Sequence, residues 1–199
     1  MLPKKKKIVP QRYSNLFIEI TKLKPKSIIE IGVFSGLHAE EMINCAQKFN
    51  KKISYYGFDL FEGYTEEIKK TEGFKAGTPV EKDVFSKLKK TGAKVQLFKG
   101  FTTDTLSKFV QENNELKVDF IFIDGGHSPE TIRNDWFWCQ KLMHEQTVVL
   151  FDDYLDDRFD FGCKNLIDNE LDPKFKSDLL LPKDIFPEKR DSIVKVTFK

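Results

Sequence analysis

The chain has 199 residues, of which 40% are hydrophobic and 13% aromatic, so a single domain can bury a full core without disulfides or a structural metal. Its formal net charge is +2 with acidic and basic residues interleaved, which argues against a broad nucleic-acid face, and no stretch of ~18 consecutive apolar residues is present to span a membrane. Cys45, Cys139 and Cys163 are odd in number and lack paired spacing, so they indicate neither a disulfide framework nor a zinc cage and fit a reducing cytoplasm; the start lacks the apolar core of a signal peptide.

Residues 1–26 read as a basic tail, with Lys4 to Lys7 as its only charge run, followed by a lead-in helix; residues 27–199 read as the domain proper. A first strand, Ser27 to Ile31, runs into Gly32-Val33-Phe34-Ser35-Gly36 and then into a helix over 37–49. That helix places Met42, Ile43, Ala46 and Phe49 on one face, with Ser35 as its cap. A second strand over 53–58 ends at Asp59. The connection 60–83 is longer than a plain link requires, and reads as a substrate wall or a surface insertion. A third strand over 94–98 precedes Gly100 and a helix over 104–111 that groups Leu106, Phe109 and Val110. The fourth, over 118–123, is apolar on both faces and leads into Asp124-Gly125-Gly126-His127. Ser128 then reads as an N-cap and Pro129 as the first residue of a helix whose Ile132, Trp136, Cys139 and Met143 face the core. The fifth, over 147–151, leads into Asp152-Asp153-Tyr154 and a second long loop over 154–161. A helix over 161–170, a short strand over 179–181 and an alternating strand over 192–198 complete the reading. Apolar runs separated by helices or loops define βαβ architecture: an α/β fold with a doubly wound, mostly parallel sheet.

The first loop discriminates between ligands. A dinucleotide site places a second glycine two residues after the first so that backbone can press on a pyrophosphate, and Phe34 stands there instead. Glu30 beside the loop would repel phosphate but suits a cationic amino group. The acidic-x-Gly-x-x-x-Gly pattern of Glu30, Gly32 and Gly36 resembles the class I S-adenosylmethionine-dependent methyltransferases. The resemblance implies a seven-stranded Rossmann-like sheet with an antiparallel C-terminal strand, a loop over Gly32, Phe34 and Gly36 passing under the methionine part of the cofactor, and Glu30 helping to hold its ammonium group. Asp59, at the second strand's end, can accept from both ribose hydroxyls, or cap the turn at Glu62-Gly63. Gly100 lies where that fold passes the adenine, or is a simple turn. His38 reads as an exposed helix position.

Asp124, Asp152, Asp153 and His127 converge on neighbouring strand ends. Clustered carboxylates repel unless neutralised, and a hard divalent cation with oxygen ligands, Mg²⁺ above all, is a natural partner; capping of turns is the alternative. The arrangement resembles the metal-dependent O-methyltransferases, particularly those acting on sugar hydroxyls and more distantly the catechol type. It implies Asp124, Asp152 and Asp153 as metal ligands, Asp124 also beside the cofactor and in the catalytic set, and His127 as general base; His127 can alternatively serve as a helix N-terminal residue bonding backbone. The expected reaction is methyl transfer to a hydroxyl of a small, sugar-like or polyhydroxylated molecule, with no nucleic-acid or membrane partner and with self-association left open. A non-catalytic cofactor-binding module is the competing class. Nucleobase methylation is disfavoured because Asp124-Gly125-Gly126-His127 stands where an Asn/Asp-Pro-Pro-aromatic loop would be. An NAD-dependent sugar enzyme is disfavoured by Phe34 and the absence of a Tyr-x-x-x-Lys pair.

Overall fold

Five parallel strands carry the five apolar runs: β1 (Ser27–Ile31), β2 (Ser54–Asp59), β3 (Lys94–Lys99), β4 (Phe120–Ile123) and β5 (Val148–Leu155). The computed structural model describes residues 11–72, 77–185 and 190–199, so the lysine run lies outside the described residues. Three further strands, β6 (Phe175–Leu179), β7 (Asp184–Ile185) and β8 (Arg190–Phe198), close the sheet. The order is β3-β2-β1-β4-β5-β8-β6, with β7 beside β8. β8 lies antiparallel between β5 and β6, which gives the mostly parallel sheet with an antiparallel C-terminal strand. Sequence order reverses between β1 and β4, so the carboxyl ends of these strands open a crevice.

Helices cover both faces, which is why the central strands carry no polar alternation. One core joins Ile29, Ile31 and Phe58 of the sheet to Leu106 and Phe109 of α5 (Thr102–Glu112) and to Ile132 and Trp136 of α6 (Pro129–Cys139). The other joins Ile28, Tyr55 and Phe120 to Leu16 and Ile20 of α1 (Ser14–Leu23), Met42 and Ile43 of α2 (Leu37–Ala46), and Val84 and Leu88 of α4 (Glu81–Lys89). A short helix, α3 (Glu66–Thr71), fills part of the long 60–83 connection. All three cysteines are buried and free. Among the described residues no helix is long and apolar enough to cross a membrane.

Several elements differ from expectation. α2 ends at Ala46 and leaves Phe49 exposed, and Gly36, in the left-handed region, holds the N-cap position expected for Ser35. β5 does not stop at Phe151 but continues to Leu155 across an irregularity between Phe151 and Tyr154. The helix expected over 161–170 starts later, at Lys164, and winds as a π-helix over Leu166–Glu170, and the strand expected at 179–181 lies upstream at Phe175–Leu179. That edge strand buries Phe175 alone, so it has no apolar period by which to locate it.

Two buried carboxyls act on stability. Burial pushes Glu30 up to about 8, against the pull of the Tyr55 hydroxyl bonded to it, and pushes Asp135 up to about 7. Between its ordinary value and its folded value each group stays protonated in the fold while the unfolded chain releases the proton, so stability falls by about 1.4 kcal/mol per group and pH unit. Melting temperature is therefore expected to decline from pH 5 to pH 7, and Glu30→Gln to flatten the decline; equal slopes in thermal melts of the two proteins would count against this.

Candidate active site

The loop after β1 is shaped by two glycines and a carboxylate. Gly32 has φ +89°, its N–H donates to the Phe58 carbonyl at 2.9 Å, and a Cβ there would lie 1.9 Å from the Asp124 carbonyl oxygen. Only glycine lets the β1 loop press against the β4 loop. At Gly36, φ +67°, a Cβ would sit 2.9 Å from Val84 on α4. Between them Phe34 is held at φ +47°, its N–H donating to Asp59 Oδ2 at 2.7 Å. The other oxygen of Asp59 takes the Phe61 N–H at 2.6 Å, so Asp59 caps the following turn and also faces the crevice. Burial holds Asp59 above the usual carboxylate range even with these backbone donors.

A cavity of about 440 Å³ opens at these strand ends, with Gly32, Phe34, Asp59, Asp124, His127 and Asp153 in its wall. A second, adjoining cavity shares Gly32 and Asp59 and runs past Gly100, Phe101 and Thr102 to Asp135. Asp135 is fully buried on α6; one oxygen accepts from Asn134 at 3.2 Å and Oδ2 has no partner among the described residues. The structure does not bring Glu30 to either cavity: it is 1% exposed, bonded to the Tyr55 hydroxyl behind the loop, and largely uncharged at neutral pH.

Asp124, Asp152 and Asp153 each offer one carboxylate oxygen, all within 4.8 Å of one another. Successive strand residues would point to opposite faces; the irregularity in β5, with Asp153 at φ +56°, aims both at Asp124. Two cations already contact the cluster. Arg12 forks onto Asp152 (Nε to Oδ1 2.7 Å, Nη2 to Oδ2 2.8 Å) and reaches Asp184 at 2.8 Å and Asp191 at 3.5 Å. The Tyr13 hydroxyl donates to Asp152 at 2.8 Å, and the Tyr13 ring lies 4.1 Å from that of His38. His38 is accordingly half-buried in the cavity wall rather than exposed, because the N-terminal segment covers it. His127 places Nε2 3.0 Å from Asp153 Oδ2, stacks on Phe161 at 4.8 Å, and donates from Nδ1 to the Glu72 carbonyl. Burial opposes its charge, but the hydrogen bond and charge of Asp153 prevail and push it up to about 9. Asp124 takes no hydrogen bond among the described residues, and burial together with Asp152 and Asp153 holds it well above the usual carboxylate range.

Five carboxylates thus face two cations, and among the described residues no cation lies within ion-pair distance of Asp124, which Arg12 steadies only through space. The donor set fits a hard divalent ion with oxygen ligands. Arg12, Tyr13, Glu72 and Asp135 escaped sequence reasoning because each reaches the site across long separations in sequence and belongs to no local motif. A lone arginine ahead of a lead-in helix carries no signal of its own.

A family profile described as a methyltransferase domain matches residues 29–154, from β1 through the β5 irregularity. The chain belongs to that family and is a class I, S-adenosylmethionine-dependent methyltransferase. No curated protein matches it in sequence. Its fold is similar to that of an O-methyltransferase from Bacillus cereus solved with S-adenosylhomocysteine, at 16% identity over 98% of this chain and 84% of that one, TM-score 0.64. It is similar also to the O-methyltransferase TomG of Streptomyces achromogenes, solved with S-adenosylmethionine, at 15% identity over 100% and 83%, TM-score 0.66. A third similar structure is CalS11, a calicheamicin methyltransferase also described as a TDP-rhamnose 3′-O-methyltransferase, at 15% identity over 92% and 76%, TM-score 0.63.

Proposed function

We propose that this protein transfers the methyl group of S-adenosylmethionine to a hydroxyl of a small polyhydroxylated or sugar-like molecule, in a reducing cytoplasm. The observation that carries the reading is one cavity whose wall holds the Gly32–Gly36 loop and, facing it, Asp124, Asp153 and His127. The loop backbone would pass under the methionine portion and Asp59 would receive the ribose hydroxyls through the lone pairs its backbone bonds leave free. Gly100 and Thr102 would flank the adenine, with the unpartnered oxygen of Asp135 turned to its amino group. Arg12, Tyr13, Ser35 and His38 line the larger cavity, which gives it polar groups suited to several hydroxyls rather than to a flat catechol ring. CalS11 acts on a sugar nucleotide by its description, which supports the same acceptor class.

Methyl transfer forms an oxygen–carbon bond as the sulfonium carbon–sulfur bond breaks, and the hydroxyl proton must leave. A divalent cation held by Asp124, Asp152 and Asp153 would lower the pKa of a bound hydroxyl and take up the Asp153 charge that now holds the His127 proton. His127 would keep its Nδ1 proton on the Glu72 carbonyl and offer Nε2 to the acceptor's proton. The cavity walls supply the alignment that holds oxygen and methyl carbon at about 3–3.5 Å.

Titration calorimetry with S-adenosylhomocysteine, followed by methyl-transfer assays on hydroxylated metabolites with and without chelator, tests the reading. Binding and chelator-sensitive transfer are expected. Absence of binding would overturn the cofactor assignment, binding without transfer would leave a cofactor-binding module, and chelator-insensitive transfer would remove the metal alone.

A further inference from the structure

Glu72 follows α3 and lies 55 residues before His127, yet it is the residue most heavily bonded to the loop that carries the histidine. On Oε2 its carboxylate takes the N–H groups of His127 at 2.6 Å and Ser128 at 2.8 Å; on Oε1 it takes the hydroxyls of Ser128 at 3.1 Å and Thr131 at 3.0 Å. Its main-chain carbonyl takes the His127 Nδ1 proton. We propose that Glu72 is a positioning residue for His127: the carboxylate fixes the 125–128 loop and the carbonyl fixes the imidazole with Nε2 turned to the acidic cluster. This rests on the O-methyltransferase reading above.

Helix capping does not account for these bonds. Ser128 already caps α6, its hydroxyl accepting the Thr131 N–H at 3.3 Å, and Pro129 opens the helix. Packing does not account for the place of Glu72 either, since α3 buries none of its residues. Gly126 points the same way. A Cβ there would lie 2.9 Å from Glu72 Oε2 and 2.7 Å from Thr131, so the second glycine of the pair leaves open the space that the carboxylate occupies. A carbonyl on Nδ1 also selects the tautomer: the neutral ring then has its lone pair on Nε2, the nitrogen that faces the acidic cluster 3.0 Å from Asp153.

Two substitutions separate geometry from charge. In Glu72→Gln the amide oxygen can still take both N–H groups while its NH₂ donates to the two hydroxyl oxygens; Glu72→Ala loses all four carboxylate bonds and keeps only the main-chain carbonyl on His127 Nδ1. With His127 loosened, Glu72→Ala is expected to lower kcat about 10- to 100-fold with acceptor KM within about twofold, and Glu72→Gln to restore most of the loss. Nitrogen-15 NMR of the imidazole supplies a readout independent of turnover. The His127 Nδ1–H signal should be sharp, and the His127 and Ser128 amides slow to exchange, in wild type and Glu72→Gln; in Glu72→Ala, where only the main-chain carbonyl is left to the ring, the signal should broaden and both amides should exchange fast. The proposal is overturned if Glu72→Ala keeps these signals, or keeps the wild-type kcat. It is equally overturned if melting temperature and cofactor affinity collapse along with kcat, since that would mark a general structural role. A wild-type protein that methylates no hydroxyl would defeat the reaction reading instead, and the NMR comparison would still decide whether Glu72 holds the ring.

Discussion

Asp124→Asn is expected to lower kcat/KM by about a thousandfold, a loss of ~4 kcal/mol in transition-state stabilisation, while the protein melts at the same temperature or higher above neutral pH. The two halves of that expectation have one cause. Asp124 is placed beside Asp152 and Asp153 with no hydrogen bond among the described residues, and its carboxyl is held well above the usual range by burial and by those neighbours. The fold therefore favours its neutral form, and ionising it above its ordinary pKa costs stability that the unfolded chain does not lose. An amide of the same shape removes that cost and with it the one carboxylate of the three that no cation contacts among the described residues. A stability–activity trade of this kind marks a group kept for chemistry rather than for folding. Methyl-transfer rates with a labelled donor, paired with melts at pH 6 and pH 8 in chelator, measure both halves. Retention of the wild-type rate within tenfold would sink the assignment of Asp124 to the reaction; a lower melting temperature at pH 8 would sink its assignment as an uncompensated charge. His127→Ala should cost about 10²–10⁴ in rate, the range for a general base.

What could be read from the sequence, and what could not, divides along the line between local and distant contacts. The strand–loop–helix corner at Gly32 was legible because an apolar run, an acidic residue and two spaced glycines state the backbone geometry within ten residues, and the structure shows why: Gly32 must admit the Asp124 carbonyl. Ser128 and Pro129 likewise announce the start of α6. The convergence of Asp124 with Asp152 and Asp153 followed from adjacent parallel strands, since carboxyl ends of neighbours lie together whatever their separation in the chain. The irregularity that turns both β5 carboxylates to one side had no such signal, because its geometry comes from pairing with β8 rather than from the residues in it. Glu30 shows the opposite failure. A carboxylate at a strand end invites a ligand, but alternation sends its side chain to the covered face beneath the loop, where Tyr55 waits for it.

Arg12→Gln is expected to cost 3–5 kcal/mol, the range for breaking a buried ion pair from one side, and about 6–20 °C in melting temperature for a domain of this size. The guanidinium is 9% exposed, with Asp152, Asp184 and Asp191 around it at 1%, 8% and 2% side-chain exposure. Its removal takes away the cation that Asp152, Asp184 and Asp191 share, whereas the fork onto Asp152 now satisfies both oxygens of that residue. The penalty should be largest near pH 7 and shrink toward pH 4.5. Acid neutralises the repulsion among the carboxyls left facing one another, so the missing stability is recovered as pH falls. Asp152→Asn alone keeps Arg12 paired with Asp184 and Asp191 and should cost less. Combined with Arg12→Gln it should cost less than the two losses added, because one uncompensated charge has been deleted along with its partner. Strict additivity in the double-mutant cycle would mean that Arg12 and Asp152 do not depend on each other. The cycle bears on function as well as on folding: Arg12 reaches the cluster from the segment before α1, so this one pair ties the start of the described chain to the strand end where the acidic residues meet. With Arg12 gone, Asp152 would no longer divide its charge between the guanidinium and a cation shared with Asp124 and Asp153, and metal affinity measured by calorimetry should rise in Arg12→Gln even as the melting temperature of the metal-free protein falls. A fall in both would show that the arginine supports the site's shape, not that it competes for its charge.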